Sequence, residues 1–200
     1  MRHAVIAVFA VFILAVLSAP AQPRTCRWPE LSTDPQNLNF AEGSVGAAPI
    51  GWHLGPEWLM QPPHQPAYEA RIAPANQCHG SHQCATVRSL QSDPRIPLSF
   101  LFQQFDVSQY RGRTLTYRAY VRVDPGSTAR LLVHVHRKDC STGFRDDMGN
   151  RPIKSSDWAA YEIRVPIIAM DAFQIEFGVQ LIGQGAAWID GMSMEFVPVQ

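Results

Sequence analysis

An excess of charge of either sign is missing from this sequence. The chain has 17 lysine and arginine residues against 17 aspartate and glutamate residues, so its formal net charge is +0. Proteins that bind nucleic acids normally carry a basic excess or a basic stripe that neutralises phosphates. Here the arginines are scattered among acidic neighbours. No nucleic-acid partner is therefore expected.

Long apolar segments are also missing after residue 17. Residues 4–17 carry no charge and follow Met-Arg-His, but this run is shorter than the roughly 20 residues that a helix needs to cross a bilayer. Ala19, Pro20 and Ala21 follow it, as at a signal-peptidase site. We predict a signal peptide at residues 1–21 and a secreted or periplasmic protein with no transmembrane segment in the mature chain. An uncleaved N-terminal anchor is the alternative.

Cysteine is scarce: the chain has four, all in the part predicted to be exported. Exported proteins meet an oxidising compartment in which cysteines pair. Cys78 and Cys84 are close in sequence, with Gly80 between them to make a turn. We therefore predict a Cys78–Cys84 disulfide, and a Cys26–Cys140 disulfide follows by elimination.

Helical spacing of apolar residues is absent after the signal peptide, and 16 prolines argue against long helices. Apolar and polar residues instead alternate, which is the pattern of half-buried strands. The clearest case is residues 114–123, where one set of alternate side chains is expected to face a core: Leu115, Tyr117, Ala119, Val121 and Val123. Similar alternation occurs at residues 68–72, 131–135, 161–165 and 173–181.

Turn-forming residues such as Asp, Pro, Gly and Asn separate these segments. Many short strands joined by turns are typical of a sandwich or jelly roll. We predict an N-terminal arm at residues 22–36, which are rich in proline, and one all-β domain at residues 37–200. Its expected architecture is an antiparallel β-sandwich.

Polar side chains fill the outward positions of these strands. Arg118, Tyr120 and Arg122 alternate along one strand, and His134 and His136 along the next. Consecutive strands joined by a short turn usually pair, so we predict that these five side chains share one face of a sheet. A face that is only solvated is the alternative to a binding face. For Trp158 and Trp188, a core position and a sugar-stacking platform both stay open, with the core favoured.

Catalytic motifs are missing. The sequence has no G-x-S-x-G, no Cys placed as a nucleophile and no phosphate-binding glycine loop. Asp146 and Asp147 are two neighbouring carboxylates, but we interpret them as loop residues that pair with Arg145 and Arg151. A glycan hydrolase that uses Asp146, Asp147 or His136 is kept as the second hypothesis.

Metal-binding patterns are weak. His134 and His136 form an H-x-H pair on one strand face, but no later His or suitably spaced Glu completes a cupin-type site. His79 and His82 lie between Cys78 and Cys84 and would form a zinc site only with free thiols. We therefore favour a sheet-face role for the first pair and a disulfide-closed loop for the second.

Motifs at both ends of the predicted domain carry a resemblance. The chain reads Asn-Leu-Asn-Phe-Ala-Glu-Gly at residues 37–43 and Gly51-Trp52 soon after, and it reads Ala-Trp-Ile-Asp-Gly-Met-Ser at residues 187–193. These ends resemble carbohydrate-binding modules of the galactose-binding-like jelly roll. The centre, with Phe105-Asp106, residues 110–113 and residues 146–158, is similar to a bacterial version of this sandwich that occurs alone or attached to regulators and hydrolases.

The resemblance implies a fold and one metal site. Modules of this kind often hold a structural calcium where the first and last strands meet, and the matching positions here are Glu42 and Asp190. Ala41 stands where those modules have their first carboxylate. The alternative for Asp190 is that it caps a turn by accepting backbone N–H bonds.

We expect an exported, non-catalytic binding module whose partner is a carbohydrate or an envelope glycan, with no cofactor apart from that calcium. A protein-interaction domain with no small ligand is the third hypothesis. The residues expected to contact the ligand are Arg118, Tyr120, Arg122, His134, His136, Asp147, Arg151 and Trp158.

Overall fold

The computed structural model describes residues 31–55, 66–91 and 98–199. The predicted signal peptide, most of the predicted arm and Cys26 lie outside these residues. The last part of the arm contacts the domain, because Ser32 forms a parallel bridge with Phe105 and the backbone N–H of Gln36 donates to the Gln103 side chain at 2.7 Å.

Strands make up nearly all of the regular secondary structure in the described part of the chain. In chain order they are β1 (His53–Gly55), β2 (Tyr68–Pro74), β3 (Gln83–Ser89), β4 (Leu98–Asp106), β5 (Arg113–Val123), β6 (Thr128–Arg137), β7 (Thr142–Asp146), β8 (Ala159–Val165), β9 (Ala172–Ile182) and β10 (Ala186–Pro198). Two short 3-10 turns, Ala75–Gln77 and Ser108–Tyr110, complete the regular structure of the described residues.

These strands form two five-stranded antiparallel sheets. Sheet A has the order β1-β4-β9-β6-β7, and sheet B has the order β2-β3-β10-β5-β8. The predicted all-β antiparallel sandwich is therefore confirmed. The core lies between the sheets, since the side chains of β5 predicted to face inward are at most 1% exposed.

The Asn37 motif closes one end of the core. The Asn37 side chain donates to the carbonyl oxygens of Glu42 at 3.1 Å and Ile50 at 2.9 Å, and the Trp52 indole N–H donates to the Asn37 carbonyl at 3.3 Å. These bonds place the Trp52 ring 5.4 Å from Phe40 and 5.4 Å from Phe177, measured between ring centroids. Aromatic contacts of this kind add to the free energy gained by burial.

The expected pairing of β5 with β6 is wrong. β5 pairs with β10 and β8 in sheet B, whereas β6 pairs with β9 and β7 in sheet A. The turn at residues 124–127 is short, but it connects a strand of sheet B to a strand of sheet A. A short connection between antiparallel strands fits a sheet-to-sheet corner as well as a hairpin, so the connection length alone does not decide the pairing.

Candidate functional site

The outer face of sheet A, called the A face here, gathers polar side chains from neighbouring strands. Because residues such as Val133 and Phe177 point into the core and are fully buried, the residues that alternate with them point outward. The register places Gln104 opposite Glu176, Glu176 opposite His134, and His134 opposite Arg145. One row of polar side chains therefore crosses four strands.

Glu176 is the centre of this row. Its carboxylate accepts a hydrogen bond from Gln104 Nε2 at 2.7 Å, and its Oε1 lies 3.2 Å from His134 Nδ1. Burial opposes ionisation of Glu176, but the bonds from His134 and Gln104 outweigh it and lower the pKa of the carboxyl. The side chain is 17% exposed, so this negative charge remains within reach of a ligand.

The same face carries polar atoms that have no hydrogen-bond partner among the described residues. His134 Nε2 is buried and unpaired, and so are both amide atoms of Gln174, a residue that is 0% exposed. Burial also lowers the pKa of the neighbouring His136. Unpaired buried polar groups lower the stability of a folded protein and call for an explanation. A polar ligand or an ordered water bound at this face would explain them.

An apolar row lies beside the polar one. Phe102 stands opposite Gly178, and Gly178 stands opposite Leu132. A Cβ atom added to Gly178 would lie 2.0 Å from the carbonyl oxygen of Leu101, so only glycine fits there. The central strand consequently has no side chain at this point, which leaves a gap between the outward side chains of Phe102 and Leu132.

Two more aromatic rings lie next to that of Phe102. The Phe100 ring centroid lies 5.2 Å from that of Phe102, and the ring centroid of His53, on the neighbouring strand β1, lies 5.6 Å from it. Aromatic rings offer flat apolar surface, and those of His53 and Phe100 are partly open to solvent. The A face therefore has an aromatic strip next to a row of hydrogen-bonding groups.

Asp147 borders this face at the edge strand β7. Its Oδ2 lies 3.1 Å from Arg145 Nη2, and its Oδ1 accepts the N–H of Gly149 at 3.2 Å. Burial opposes ionisation, but Arg145, with a smaller contribution from Arg130, lowers the pKa of Asp147. Arg130 Nε is buried and has no hydrogen-bond partner within the described part of the chain. The neighbouring Asp146 pairs with Arg151, as the sequence predicted.

The residues predicted as one ligand site lie on two opposite sides of the sandwich. His134 and His136 lie on the A face and Asp147 at its edge, whereas Arg118, Tyr120 and Arg122 lie on the outer face of sheet B. Trp158 lies with them, 5.4 Å from the guanidinium carbon of Arg122. The predicted continuous surface is wrong, because it depended on β5 and β6 being neighbours. The favoured core positions of Trp158 and Trp188 are also wrong, since both are partly exposed beside Arg122.

The predicted Cys78–Cys84 disulfide is confirmed, with a Cα–Cα distance of 5.6 Å. Cys140 is also disulfide-bonded. The sulfurs of Cys78 and Cys84 and a carboxylate oxygen of Asp190 lie within 4.8 Å of one another, but an oxidised pair offers no thiolate to zinc.

Asp190 holds the disulfide loop onto sheet B. It is 1% exposed and accepts the N–H of His79 at 2.7 Å, the Ser81 hydroxyl at 2.7 Å and the N–H of Gly191 at 2.7 Å. These bonds match the turn-capping alternative for Asp190. Glu42 is exposed, and Asn37 bonds its backbone. Calcium binding by Glu42 and Asp190 stays a prediction.

Sequence reasoning missed Gln104, Phe102 and Gly178. The segment that contains β4 reads Leu-Ser-Phe-Leu-Phe-Gln-Gln-Phe-Asp, in which aromatic residues occupy both faces of the strand. Such a run lacks the alternation that marks a half-buried strand. The polar pair Gln103-Gln104 inside it was the available signal.

No helix in the described residues is long and apolar enough to cross a membrane. No family model matches the chain. The uncharacterized HTH-type transcriptional regulator YbfP of Bacillus subtilis (strain 168) is 27% identical over 142 residues, which cover 70% of this chain and 48% of the regulator. The chain thus spans about half the length of this relative.

Solved structures share the architecture. The CBM22-1 xylan-binding domain of Paenibacillus barcinonensis Xyn10C has a TM-score of 0.53 at 10% identity, covering 82% of this chain and 94% of that domain. TmCBM61 in complex with β-1,4-galactotriose has a TM-score of 0.51 at 12% identity, covering 80% of this chain and 96% of that module. The described structure therefore has the β-sandwich, jelly-roll fold of carbohydrate-binding modules.

Proposed function

We propose that this protein is an exported, non-catalytic module that binds a glycan chain on the A face. The observation that carries the proposal is the pair of adjacent rows across sheet A, one polar around Glu176 and one apolar around the gap at Gly178. The solved structures of this fold include a domain described as xylan-binding and a module in complex with β-1,4-galactotriose.

The chemistry of the A face suits a sugar. A pyranose presents hydroxyl groups that both donate and accept, and C–H faces that pack on aromatic rings. Glu176 supplies an acceptor, Gln104 and His134 supply amide and imidazole groups, and Phe100 and His53 supply partly exposed ring surface. A ligand hydroxyl that pairs with His134 Nε2 would remove the cost of leaving that buried atom unpaired.

Two observations support the export and non-catalytic parts of the proposal. Disulfides such as Cys78–Cys84 form and persist in oxidising compartments, which fits the predicted signal peptide. Asp146 and Asp147, the carboxylates considered for hydrolysis, each pair with an arginine. Mass spectrometry of the native protein from the host's exported fraction should give a chain that begins at Gln22. A chain in that fraction that still begins at Met1 would contradict removal of a signal peptide.

Calorimetric titration tests the glycan site directly. The titrants are xylohexaose, β-1,4-galactotriose and soluble cell-wall oligosaccharides. Glu176→Gln keeps the shape of the side chain and removes the charged acceptor, so we expect affinity to fall about 10- to 100-fold, or about 1–3 kcal/mol. The matched control is Glu162→Gln, which changes an exposed glutamate on the opposite side of the sandwich and should leave affinity unchanged.

Thermal melts on the same samples separate binding from folding. If the wild-type protein binds none of these glycans, the proposal is wrong. It is also wrong if Glu176→Gln and Glu162→Gln both bind as the wild type does. An equal affinity loss in both variants would likewise contradict a site at the A face.

A further inference from the structure

The outer face of sheet B, called the B face here, holds a cationic and aromatic cluster that the A-face site does not use. Arg122 on β5 stands directly opposite Trp188 on β10. Its guanidinium carbon lies 3.9 Å from the Trp188 ring centroid and 5.4 Å from the Trp158 ring centroid. Cation–π contacts with two indoles hold the guanidinium in a fixed orientation.

Arg122 differs from the other arginines of this face in having no carboxylate partner among the described residues. Arg118 lies 2.9 Å from Glu162, Arg71 lies 2.7 Å from Glu69, and Arg88 also pairs with Glu69. The one hydrogen bond that Arg122 makes within the described structure is long, 3.4 Å from Nη2 to the carbonyl oxygen of Gln77. Its side chain is partly exposed. The edge of the guanidinium therefore presents donors that no acid of the described chain neutralises.

The disulfide loop builds the wall of this cluster. Asp190 holds the backbone of His79 in place, and the His79 ring stacks on Tyr120 with 4.0 Å between ring centroids. The His79 ring also lies 5.7 Å from Trp158. A Cβ atom on Gly191 would lie 3.1 Å from the Tyr120 ring, so a glycine there lets Tyr120 lie close to the sheet.

Space for a ligand opens beside the cluster. A depression of about 310 Å³ adjoins Trp188, and Gln77, Thr86 and Arg71 are among the residues that line it. This volume is at the lower end of the range for small-molecule sites. Arg122 does not line the depression itself, but its guanidinium lies against the ring of Trp188, which does.

We propose that the B face is a second glycan-binding site, specific for a sugar that carries an anionic group. The anion, a carboxylate or a sulfate, pairs with the edge of Arg122, since a guanidinium fork matches such oxygens bidentately. The Trp188 and Trp158 rings and the exposed ring of His79 supply the apolar contacts. This site rests on its own residues and is independent of the A-face proposal.

Titration with charged and neutral oligosaccharides of similar length tests the site. The probes are tetragalacturonate for a carboxylate, a heparin-derived tetrasaccharide for a sulfate, and a neutral β-1,4-galactan tetrasaccharide as the uncharged reference. We expect one anionic probe or both to bind at low salt, with affinity that weakens as salt rises. Comparison of the two anionic probes identifies the preferred group.

Arg122→Gln should lower the affinity for the anionic probe at least 10-fold. Arg122→Lys should lower it less, because the positive charge remains although the planar fork of donors is lost. Arg118→Gln is the matched control on the same strand and the same face, and it should change affinity less than twofold. Glu176→Gln, on the A face, should also leave the anionic probe's affinity unchanged. These variants therefore test the B-face proposal and the A-face proposal separately, so that either one can be rejected without the other.

The proposal fails if neither anionic probe binds the wild-type protein. It also fails if the neutral tetrasaccharide binds the B face as tightly, or if Arg118→Gln and Arg122→Gln weaken binding equally, which would indicate a diffuse charge effect. NMR of the arginine Nε–H groups provides a second measurement that needs no variant. The Arg122 resonance should shift on titration, and a shift confined to other arginines would overturn the assignment.

Discussion

The A face and the B face are built by the same alternation of inward and outward residues, yet they offer different chemistry. On the A face the charged and polar groups are half-buried and close to one another, with Glu176 and His134 in contact. On the B face the ion pair of Arg118 with Glu162 is exposed. The closely packed part of that face is the disulfide loop, whose His79 ring stacks on Tyr120. A polar outward residue thus acquires its role from its depth and its neighbours rather than from its type.

The contrast extends to how each face is held. The A face is fixed by the central strands themselves, because β9 pairs with β4 on one side and β6 on the other from residue 174 to residue 182. The B face depends on a loop outside the sheet, which Asp190 and one disulfide hold in place. We expect the A face to resist local changes in loops and the B face to respond to them. The three predictions below test this difference.

The largest expected effect is at the centre of the A face. In Gly178→Ala the new Cβ would meet the carbonyl oxygen of Leu101 at 2.0 Å, and relief requires two central strands to separate. We expect the free energy of unfolding to fall by about 3 kcal/mol or more. Urea denaturation followed by circular dichroism measures the loss.

Gly191→Ala is the matched change on the B face. Its backbone is left-handed with a φ of 53°, and its nearest neighbour is the edge of the Tyr120 ring, at 3.1 Å. The expected cost is about 1–2 kcal/mol, mostly the backbone penalty of a non-glycine residue. Equal losses in Gly178→Ala and Gly191→Ala would contradict the claim that the A face is held more rigidly.

The second effect concerns the loop of the B face. Replacing both Cys78 and Cys84 by serine removes a short cross-link and should lower the free energy of unfolding by about 2 kcal/mol. Because the loop carries His79 to Tyr120, binding of an anionic probe at the B face should weaken as well. Binding at the A face should not change, as measured with the neutral glycan that the wild-type protein prefers.

An unchanged B-face affinity in the double serine variant would show that Asp190 holds the loop without help from the disulfide. The variant leaves Cys140 intact, so it isolates this one cross-link. Chemical reduction of the wild-type protein does not provide that separation, because Cys140 is disulfide-bonded too.

The smallest expected effect is the pH dependence of stability, which should come mainly from the A face. Burial lowers the folded-state pKa of His136, with His134 and Arg145 adding to the effect and Glu176 opposing it. The unfolded chain takes up this proton near pH 6.5, before the folded chain does. Stability is therefore full above about pH 6.5 and falls as the pH drops through the folded pKa.

Glu176 adds a second step at lower pH. Its folded pKa is lowered by His134 and Gln104 against the opposing effect of burial, so its stabilising contribution is present above the unfolded pKa of about 4.3 and is lost in acid. Urea denaturation between pH 3 and pH 8 should show both steps. Glu176→Gln should flatten the acid step, and Glu162→Gln, an exposed group screened by solvent, should change it far less.

NMR titration of the His136 ring checks the first step independently. A value at or above the ordinary histidine pKa would contradict the burial argument. It would also remove the reason to assign the loss of stability below about pH 6.5 to the A face.

Much of the fold was predictable because burial acts on each strand locally. The inward residues of β5 alternate with outward ones, and they are at most 1% exposed in the structure. β4 was not predictable in this way, because Phe100 and Phe102 place aromatic rings on its outer side. The cross-strand partners on which the A face depends, such as Gln104 and His134 on either side of Glu176, are far apart in sequence.

The sequence by itself determined the alternation, the turns and the Cys78–Cys84 pair. These depend on interactions between residues near in the chain or on the periodic exposure of one strand. Only the tertiary structure decided that β5 and β6 enter opposite sheets, and hence that Arg122 and His134 face away from each other. The reason is physical: a strand's own pattern specifies which side it buries, whereas its neighbours are selected by how two whole sheets pack over one core.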